Sequence, residues 1–272
     1  MLNKAINKWE LSNLKCINCS ESKLVYSVYS NIYGNCILKI DLNNNLETEF
    51  SYLNCFKDTC VCKVYGYDKE INALLLEKII PGTTLRSEMP LDKRLNVYYH
   101  LLCYLHKSTD TQFDCPTYQD WFKDVLKNIT EINKEFELKL IEANSICNMM
   151  FEKYKNHMVL HGDLHHDNIL LNDKGDYVII DPKGVTGPPI LELGRFILNE
   201  LDLGNNVKSI EHVKEVVIEI SKLFNYEFKD VVKVFYIETV LANAWNIEDG
   251  LSVNYLQLQV VDELLEWINE YK

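Results

Sequence analysis

No apolar run in the 272-residue chain approaches the roughly eighteen residues that a membrane-crossing helix needs, and Met1 to Glu10 lacks the unbroken apolar core of a signal peptide. These absences predict a cytoplasmic protein with no membrane partner. Cationic side chains are in deficit, with 28 Lys and Arg against 40 Asp and Glu and a formal charge of -12. A nucleic-acid partner is therefore not expected, whereas a cationic one is. An even cysteine framework is missing too. The nine cysteines (Cys16, Cys19, Cys36, Cys55, Cys60, Cys62, Cys103, Cys115 and Cys147) are odd in number and stop at position 147, which predicts no disulfide scaffold. Cys16-x-x-Cys19 has a metal-like spacing, but no second Cys or His pair completes a zinc set, and the two are read as ordinary strand cysteines. Repeats and low-complexity segments are absent. At 47% hydrophobic and 25% charged residues the chain has an ordinary globular balance, with length enough for one large domain or two lobes.

The pattern changes near residue 80. Before it, short β-branched and aromatic segments (Leu14 to Cys19, Leu24 to Ser30, Asn35 to Ile40, Val61 to Tyr67, Ala73 to Glu77) alternate with turn signals and predict a small antiparallel sheet. One helix, Leu46 to Phe56, interrupts it, and an amphipathic helix with Leu2, Ile6 and Trp9 on one face precedes it. Pro81-Gly82 marks a break. Beyond it Leu91, Leu95, Tyr98, Leu102 and Leu105 recur at helical spacing, and Trp121, Val125, Ile129 and Ile132 begin a second stripe. The spacing predicts an N-terminal lobe over 1–80 and a larger, mainly helical lobe over 81–272. Within the latter, Met158 to Leu160, Asn168 to Leu171 and Tyr177 to Asp181 are too short for helices and read as strands.

These strands frame His161-Gly-Asp163-Leu-His-His-Asp-Asn168, the spacing H-x-D-x-x-x-x-N of a kinase catalytic loop, and Asp181 follows thirteen residues later. Phosphoryl transfer needs a divalent ion held by hard oxygen ligands, here Asn168 and Asp181 for Mg²⁺, and a separate carboxylate, Asp163, facing the incoming hydroxyl. A capped turn at His161-Gly-Asp, or a zinc site at the three histidines, accounts for part of the motif but predicts neither Asn168 nor Asp181. Upstream, Lys39 in Cys36-Ile-Leu-Lys-Ile40 matches the strand lysine that reaches the donor phosphates, although a lone strand lysine is usually solvated. The following helix offers Glu49 as its partner in preference to Glu47. No Gly-rich phosphate loop exists. Between the first two strands stands Cys19-Ser-Glu-Ser-Lys23, where backbone amides and the hydroxyls of Ser20 or Ser22 take that place.

With His-Gly-Asp for His-Arg-Asp and Asp181-Pro-Lys-Gly184 for Asp-Phe-Gly, the chain resembles the aminoglycoside phosphotransferase and choline kinase superfamily. Leu74-Leu-Leu-Glu77 with Pro81-Gly82, His161 to Asn168, Ile180-Asp-Pro-Lys-Gly184 and Ala244-Trp-x-x-Glu-Asp-Gly250 most resemble its aminoglycoside 6-phosphotransferase (streptomycin kinase) and hydroxyurea phosphotransferase family. Glu192 stands where relatives more often have Asp, and Lys strongly outnumbers Arg. The resemblance implies an α+β, protein-kinase-like two-lobed fold, an N-terminal antiparallel sheet with one central helix and a larger helical lobe, with ATP or GTP and Mg²⁺ in the cleft between them. It implies a hinge at Glu77-Lys78-Ile79 whose backbone at Glu77 and Ile79 reads adenine. Lys183 either reaches a phosphate or braces its loop. Trp245, Glu248 and Asp249 are placed near a small, cationic acceptor, the alternative being that Trp245 is a core residue and the two acids merely precede a helix stop at Gly250. The expected acceptor is an aminoglycoside, streptomycin-like first, with hydroxyurea or another small metabolite alcohol as alternatives. A catalytically dead nucleotide-binding scaffold has no need of Lys39, Asp163, Asn168 and Asp181 together. A protein kinase lacks support, since no Ala-Pro-Glu element follows Asp181. Monomer and dimer are left open.

Overall fold

A computed structural model describes residues 1–20, 23–42, 46–106, 113–128, 134–201 and 206–270, without the side chains of 206–209. By mutual packing the backbone forms two compact units, Met1–Asp114 with Asp167–Gly184, and Cys115–His166 with Val185–Lys272.

The first unit opens with helix α1 (Leu2–Trp9), whose Ala5 and Trp9 are buried. A five-stranded antiparallel sheet follows: β1 (Leu11–Cys19), β2 (Lys23–Ser30), β3 (Gly34–Asp41), β4 (Val64–Asp68) and β5 (Ala73–Glu77), in the order β1-β2-β3-β5-β4. Strand alternation sends Leu38, Ile40, Ala73 and Leu75 to one face, where they form a core with Ala5 and Trp9. Lys39 therefore faces the other way, paired across the strands with Val25 and Leu74. Helix α2 (Glu47–Cys55) buries Glu49, Tyr52 and Leu53, three positions of one helical face. The strand expected from Val61 divides: Val61 bridges Ile179, and pairing with β5 begins at Val64. Pro81-Gly82, read as a break, lies in β6 (Pro81–Thr84), which joins β8 (Ile169–Asn172) and β9 (Tyr177–Ile179) in the order β6-β8-β9. Helix α3 (Leu91–Leu105) buries Leu95, Tyr98, Leu102 and Leu105 of the expected stripe.

Cys16 and Cys19, read as ordinary strand cysteines, are joined as a disulfide. The register explains the correction. Cys16 pairs with Tyr26 and Cys19 with Leu24, so a bulge between Cys16 and Asn18 turns both side chains to one face where simple alternation would oppose them.

The second unit holds α4 (Tyr118–Asn128), α5 (Lys134–Lys153), β7 (Met158–Leu160), β10 (Val185–Gly187), α6 (Leu193–Glu200), α7 (Asn206–Phe224), α8 (Phe228–Glu248) and α9 (Tyr255–Glu270). Strand β7 pairs with β10, which was not foreseen. Ile129 and Ile132 of the expected second stripe lie outside the described residues, while Val125 is buried and Trp121 half-buried. Helix α8 is largely apolar and is buried at most positions from Val231 to Ala244, with α4, α5, α6, α7 and α9 packed around it. No helix among the described residues is long and apolar enough to cross a membrane.

Helix α6 packs tightly on α8 at Gly194, where a β-carbon would stand 2.8 Å from both the Val234 carbonyl oxygen and the Glu238 Cβ. Backbone cannot yield as a flexible side chain does. Gly194→Ala is thus expected to lower unfolding stability by about 1–3 kcal/mol in urea titrations, the usual range for overpacking; unchanged stability would contradict this reading of the α6–α8 contact.

Candidate active site

In the first unit, the Lys39 ammonium on β3 donates to Glu49 Oε1 at 2.6 Å and to Asp181 Oδ1 at 2.5 Å. Burial works against its charge, but the two carboxylates outweigh burial and push its pKa up, so it stays protonated. Helical phase separates the two acids the sequence left competing: Glu49 shares the buried face with Tyr52 and Leu53, while Glu47 points to solvent and pairs with Lys69 at 2.9 Å. Asp181 arrives by a different route. The β8–β9 hairpin is closed by the Ile180 amide donating to the Asn168 carbonyl at 3.0 Å, which sets Asn168 opposite the residue before Asp181. Segment 60–63 ties this hairpin to the sheet. Its backbone bonds Ile179 at Cys60 and Cys62, and the Lys63 carbonyl accepts the Glu77 amide at 2.9 Å. Asp181 itself is in the left-handed region at φ 59°, a conformation Asp tolerates better than most residues and that the Lys39 ion pair holds.

In the second unit, the stretch His161 to His166 of the catalytic-loop motif is braced from helix α6. Glu192 at its start accepts the His161 amide at 2.7 Å and the Gly162 amide at 3.0 Å. Arg195 donates from Nε to Asp163 Oδ1 at 2.6 Å and pairs through Nη1 with Glu238 Oε1 of α8 at 3.2 Å. Phe196 stacks on His166, and Glu200 pairs with His166 at 2.7 Å and with His212 at 2.9 Å. Positions 192, 195, 196 and 200 are one helical stripe. Gly162 completes the turn: its φ is 75°, and a β-carbon there would meet Trp121 Cη2 at 2.7 Å. Trp121 in turn carries Trp245 edge-on, with ring centroids 5.3 Å apart.

The remaining candidates fall as follows. Ser20 closes the β1–β2 turn, its hydroxyl accepting the Lys23 amide at 3.0 Å, and Ser22 lies outside the described residues. Glu77 ends β5, with a carboxylate that accepts the Lys63 amide at 3.2 Å, and Ile79 is buried. Asn168 is buried and Lys183 exposed. Trp245 is half-buried, unlike its neighbours Val240, Leu241 and Ala244, and Glu248 and Asp249 are exposed at the end of α8, Glu248 accepting from Asn128 at 3.3 Å. Sequence reasoning missed Arg195 and Glu238 altogether, because the first sits one helical turn past a motif and the second inside an apolar helix with no motif around it.

Glu192 is 1% exposed, and burial pushes its carboxyl from an ordinary 4.5 up to about 7 despite the two amides that favour the anion; the Glu238 and Asp163 charges add to the rise. Between those values the folded protein keeps a proton that the unfolded chain has lost. Stability from this group therefore falls as pH rises from about 4.5 to about 7 and levels off above, over a range of order 3 kcal/mol. Denaturant titrations of wild type and Glu192→Gln across pH 4–8 check this: the difference between them should carry that slope, and a flat difference would contradict it.

Residues 8–250 match the family described as aminoglycoside/hydroxyurea antibiotic resistance kinase. No curated protein sequence matches the chain. Among solved structures, the choline kinase LicA from Streptococcus pneumoniae aligns with a TM-score of 0.69 at 13% identity, covering 97% of this chain and 95% of that one. Aminoglycoside phosphotransferase APH(4)-Ia aligns at 0.67 and 12% identity over 97% of both chains. The amicoumacin kinase hAmiN, whose structure holds AMP-PNP, Ca²⁺ and Ami, aligns at 0.66 and 12% identity over 96% and 92%. The α+β, kinase-like fold is common to them. Since the family match runs over most of its length, the chain belongs to the aminoglycoside/hydroxyurea antibiotic resistance kinases, phosphotransferases that act on hydroxyl groups of small molecules.

Proposed function

We propose that the chain transfers the γ-phosphoryl group of ATP, or of GTP, to a hydroxyl of an aminoglycoside-type antibiotic in the cytoplasm, with streptomycin-like acceptors first. In this reading residues 1–80 form the nucleotide-binding lobe, and 81–272 supply the catalytic loop, metal ligands and acceptor site. The observation that carries it is the doubly paired Lys39, a buried ammonium held between Glu49 and Asp181. Such a cation is preorganised for the donor's α- and β-phosphates.

Each candidate then has a task. Glu49 keeps Lys39 oriented, the backbone of Glu77 and Ile79 reads the base, and backbone amides between the first two strands with the hydroxyl of Ser20 or Ser22 cover the phosphates. Lys183 reaches a phosphate or braces the loop behind Asp181. Asn168 and Asp181 offer hard oxygen atoms on neighbouring ends of one hairpin, which suits Mg²⁺. When bound, that ion neutralises charge on the donor phosphates. The acceptor oxygen forms its bond to the γ-phosphorus as the bond to the nucleoside diphosphate breaks, and the hydroxyl proton passes to Asp163. The transition state has little covalent character for a protein to assist, so alignment of the hydroxyl by Asp163 is the main contribution of that group. Trp245, edge-on to the tryptophan that packs on the His161-Gly-Asp turn, gives an aromatic face, and Glu248 and Asp249 give charge suited to a cationic, sugar-like acceptor.

A coupled assay of nucleotide turnover over aminoglycosides, hydroxyurea and metabolite alcohols, with ATP and GTP in parallel, tests this reading. Streptomycin-type acceptors should be turned over best, and Asp163→Asn should lower kcat by at least ~10²-fold while nucleotide binding persists. Turnover of hydroxyurea alone would move the acceptor class to small neutral hydroxyls. Nucleotide binding without turnover on any acceptor would leave a scaffold, and near-normal kcat in Asp163→Asn would remove that residue from its role.

A further inference from the structure

The chain contains only three arginines, Arg86, Arg94 and Arg195, among 28 basic residues. Each one contacts two oxygen atoms at once. Arg86 takes both oxygens of Asp167 at 2.9 and 2.7 Å, and Arg94 takes the carbonyls of Glu88 and Met89, both at 2.7 Å. Arg195 spans two carboxylates on different elements, Asp163 of the catalytic loop and Glu238 of α8. A lysine ammonium can contact two carboxylates, as Lys39 does, but it has no rigid planar set of donors, so in a lysine-rich chain an arginine at this position marks a geometric requirement.

The surroundings strengthen that requirement. Side-chain exposure falls inward along the network, from 15–18% at Asp163 and Arg195 to 1% at Glu238. A carboxylate so deep inside an apolar helix is costly unless it is paired, and the guanidinium is the cation that faces it. Burial opposes the charge of Arg195, but Glu238 and Asp163 outweigh burial and push its pKa up, so the cation persists. Gly194, next in sequence, is what lets α8 come close enough for Glu238 to be reached. Nothing in the kinase motif calls for Glu238; as a buried counter-charge 3.2 Å from Nη1 it holds the far end of the guanidinium, whose Nε donates to the carboxylate of Asp163.

We propose that Arg195, backed by Glu238, is a positioning residue for phosphoryl transfer: its Nε–H bond sets the orientation of the Asp163 carboxylate, and the buried charge of Glu238 holds the guanidinium in place. The inference rests on the reading of Asp163 as the group that meets the acceptor hydroxyl, and it adds a buried support on α6 and α8 whose loss misaims that group. Misalignment by about 1 Å at a reacting group costs on the order of 10²-fold in rate, which sets the scale of the effect.

The test compares wild type, Arg195→Gln, Arg195→Gln with Glu238→Gln, and Asp163→Asn in the full chain with MgATP. Streptomycin is one acceptor and water, read as intrinsic ATP hydrolysis, the other. Both Arg195 variants should lose kcat by roughly 10- to 100-fold with the KM for ATP within about two-fold of wild type, and added guanidinium ion should restore part of the loss. The double variant removes the buried carboxylate that the single change strands, so it keeps the test valid where Arg195→Gln does not fold. A second readout is independent of turnover. Three arginines yield three Nε–H resonances in a ¹⁵N-labelled sample, and Asp163→Asn should shift the one that Arg195→Gln removes. Near wild-type kcat in an Arg195 variant, alongside a dead Asp163→Asn, overturns the proposal, as does a kcat loss in a normally folded variant that guanidinium leaves untouched. Normal turnover in Asp163→Asn would instead overturn the reading of Asp163.

Discussion

A buried ammonium governs the first unit. Lys39 is 7% exposed, on the face of the sheet opposite the α1 core, and such a charge persists only when carboxylates are brought to it. Two arrive, Glu49 on the buried face of α2 only 10 residues on, and Asp181 after β9, 142 residues away from the lysine. Much of the surrounding architecture serves those two deliveries. Helix α2 must present 49, 52 and 53 inward, and segment 60–63 must connect the hairpin to the sheet. Asp181 must accept a left-handed backbone. Removing one partner from a buried pair usually costs about 3–5 kcal/mol, far more than a surface bridge contributes. The exposed pair of Glu47 with Lys69, on the same helix, carries no such weight.

The second unit solves a different problem, which is to hold a short polar loop in one conformation. Its answer is one stripe of α6. Glu192 takes the amides of the turn, Arg195 the carboxylate of Asp163, and Phe196 and Glu200 the ring of His166. Because α6 is itself locked to α8 at Gly194, the loop inherits the stiffness of a helix pair rather than of a loop. The Glu192 carboxylate spans both amides, one on each oxygen.

Much of this was legible in the sequence, for identifiable reasons. The strand and helix periods located nearly every element of the first unit, and H-x-D-x-x-x-x-N with Asp181 singled out residues that the structure ties to the α6 stripe and to the Lys39 ion pair. Glu49 was legible too, since only its helical phase matches Leu53. What escaped depends on register or on partners far away in sequence. The bulge that turns Cys16 and Cys19 to one face is invisible to alternation, β6 and β10 exist only because β8 and β7 pair with them, and Arg195 and Glu238 acquire meaning only through each other. The single strand read from Val61 failed similarly, because two different partners claim its two ends.

The central claim is that the paired Lys39 and the Asn168–Asp181 hairpin end form a receptor for a metal-bound nucleotide. Calorimetric titration of ATP into wild type and Lys39→Met, each with and without Mg²⁺, measures it directly. The account predicts saturable binding that Mg²⁺ tightens in the wild type and that weakens by at least ~10-fold when the ammonium is removed, the size of one charge-assisted contact to phosphate. Nucleotide affinity indifferent both to Mg²⁺ and to the loss of Lys39 would contradict it.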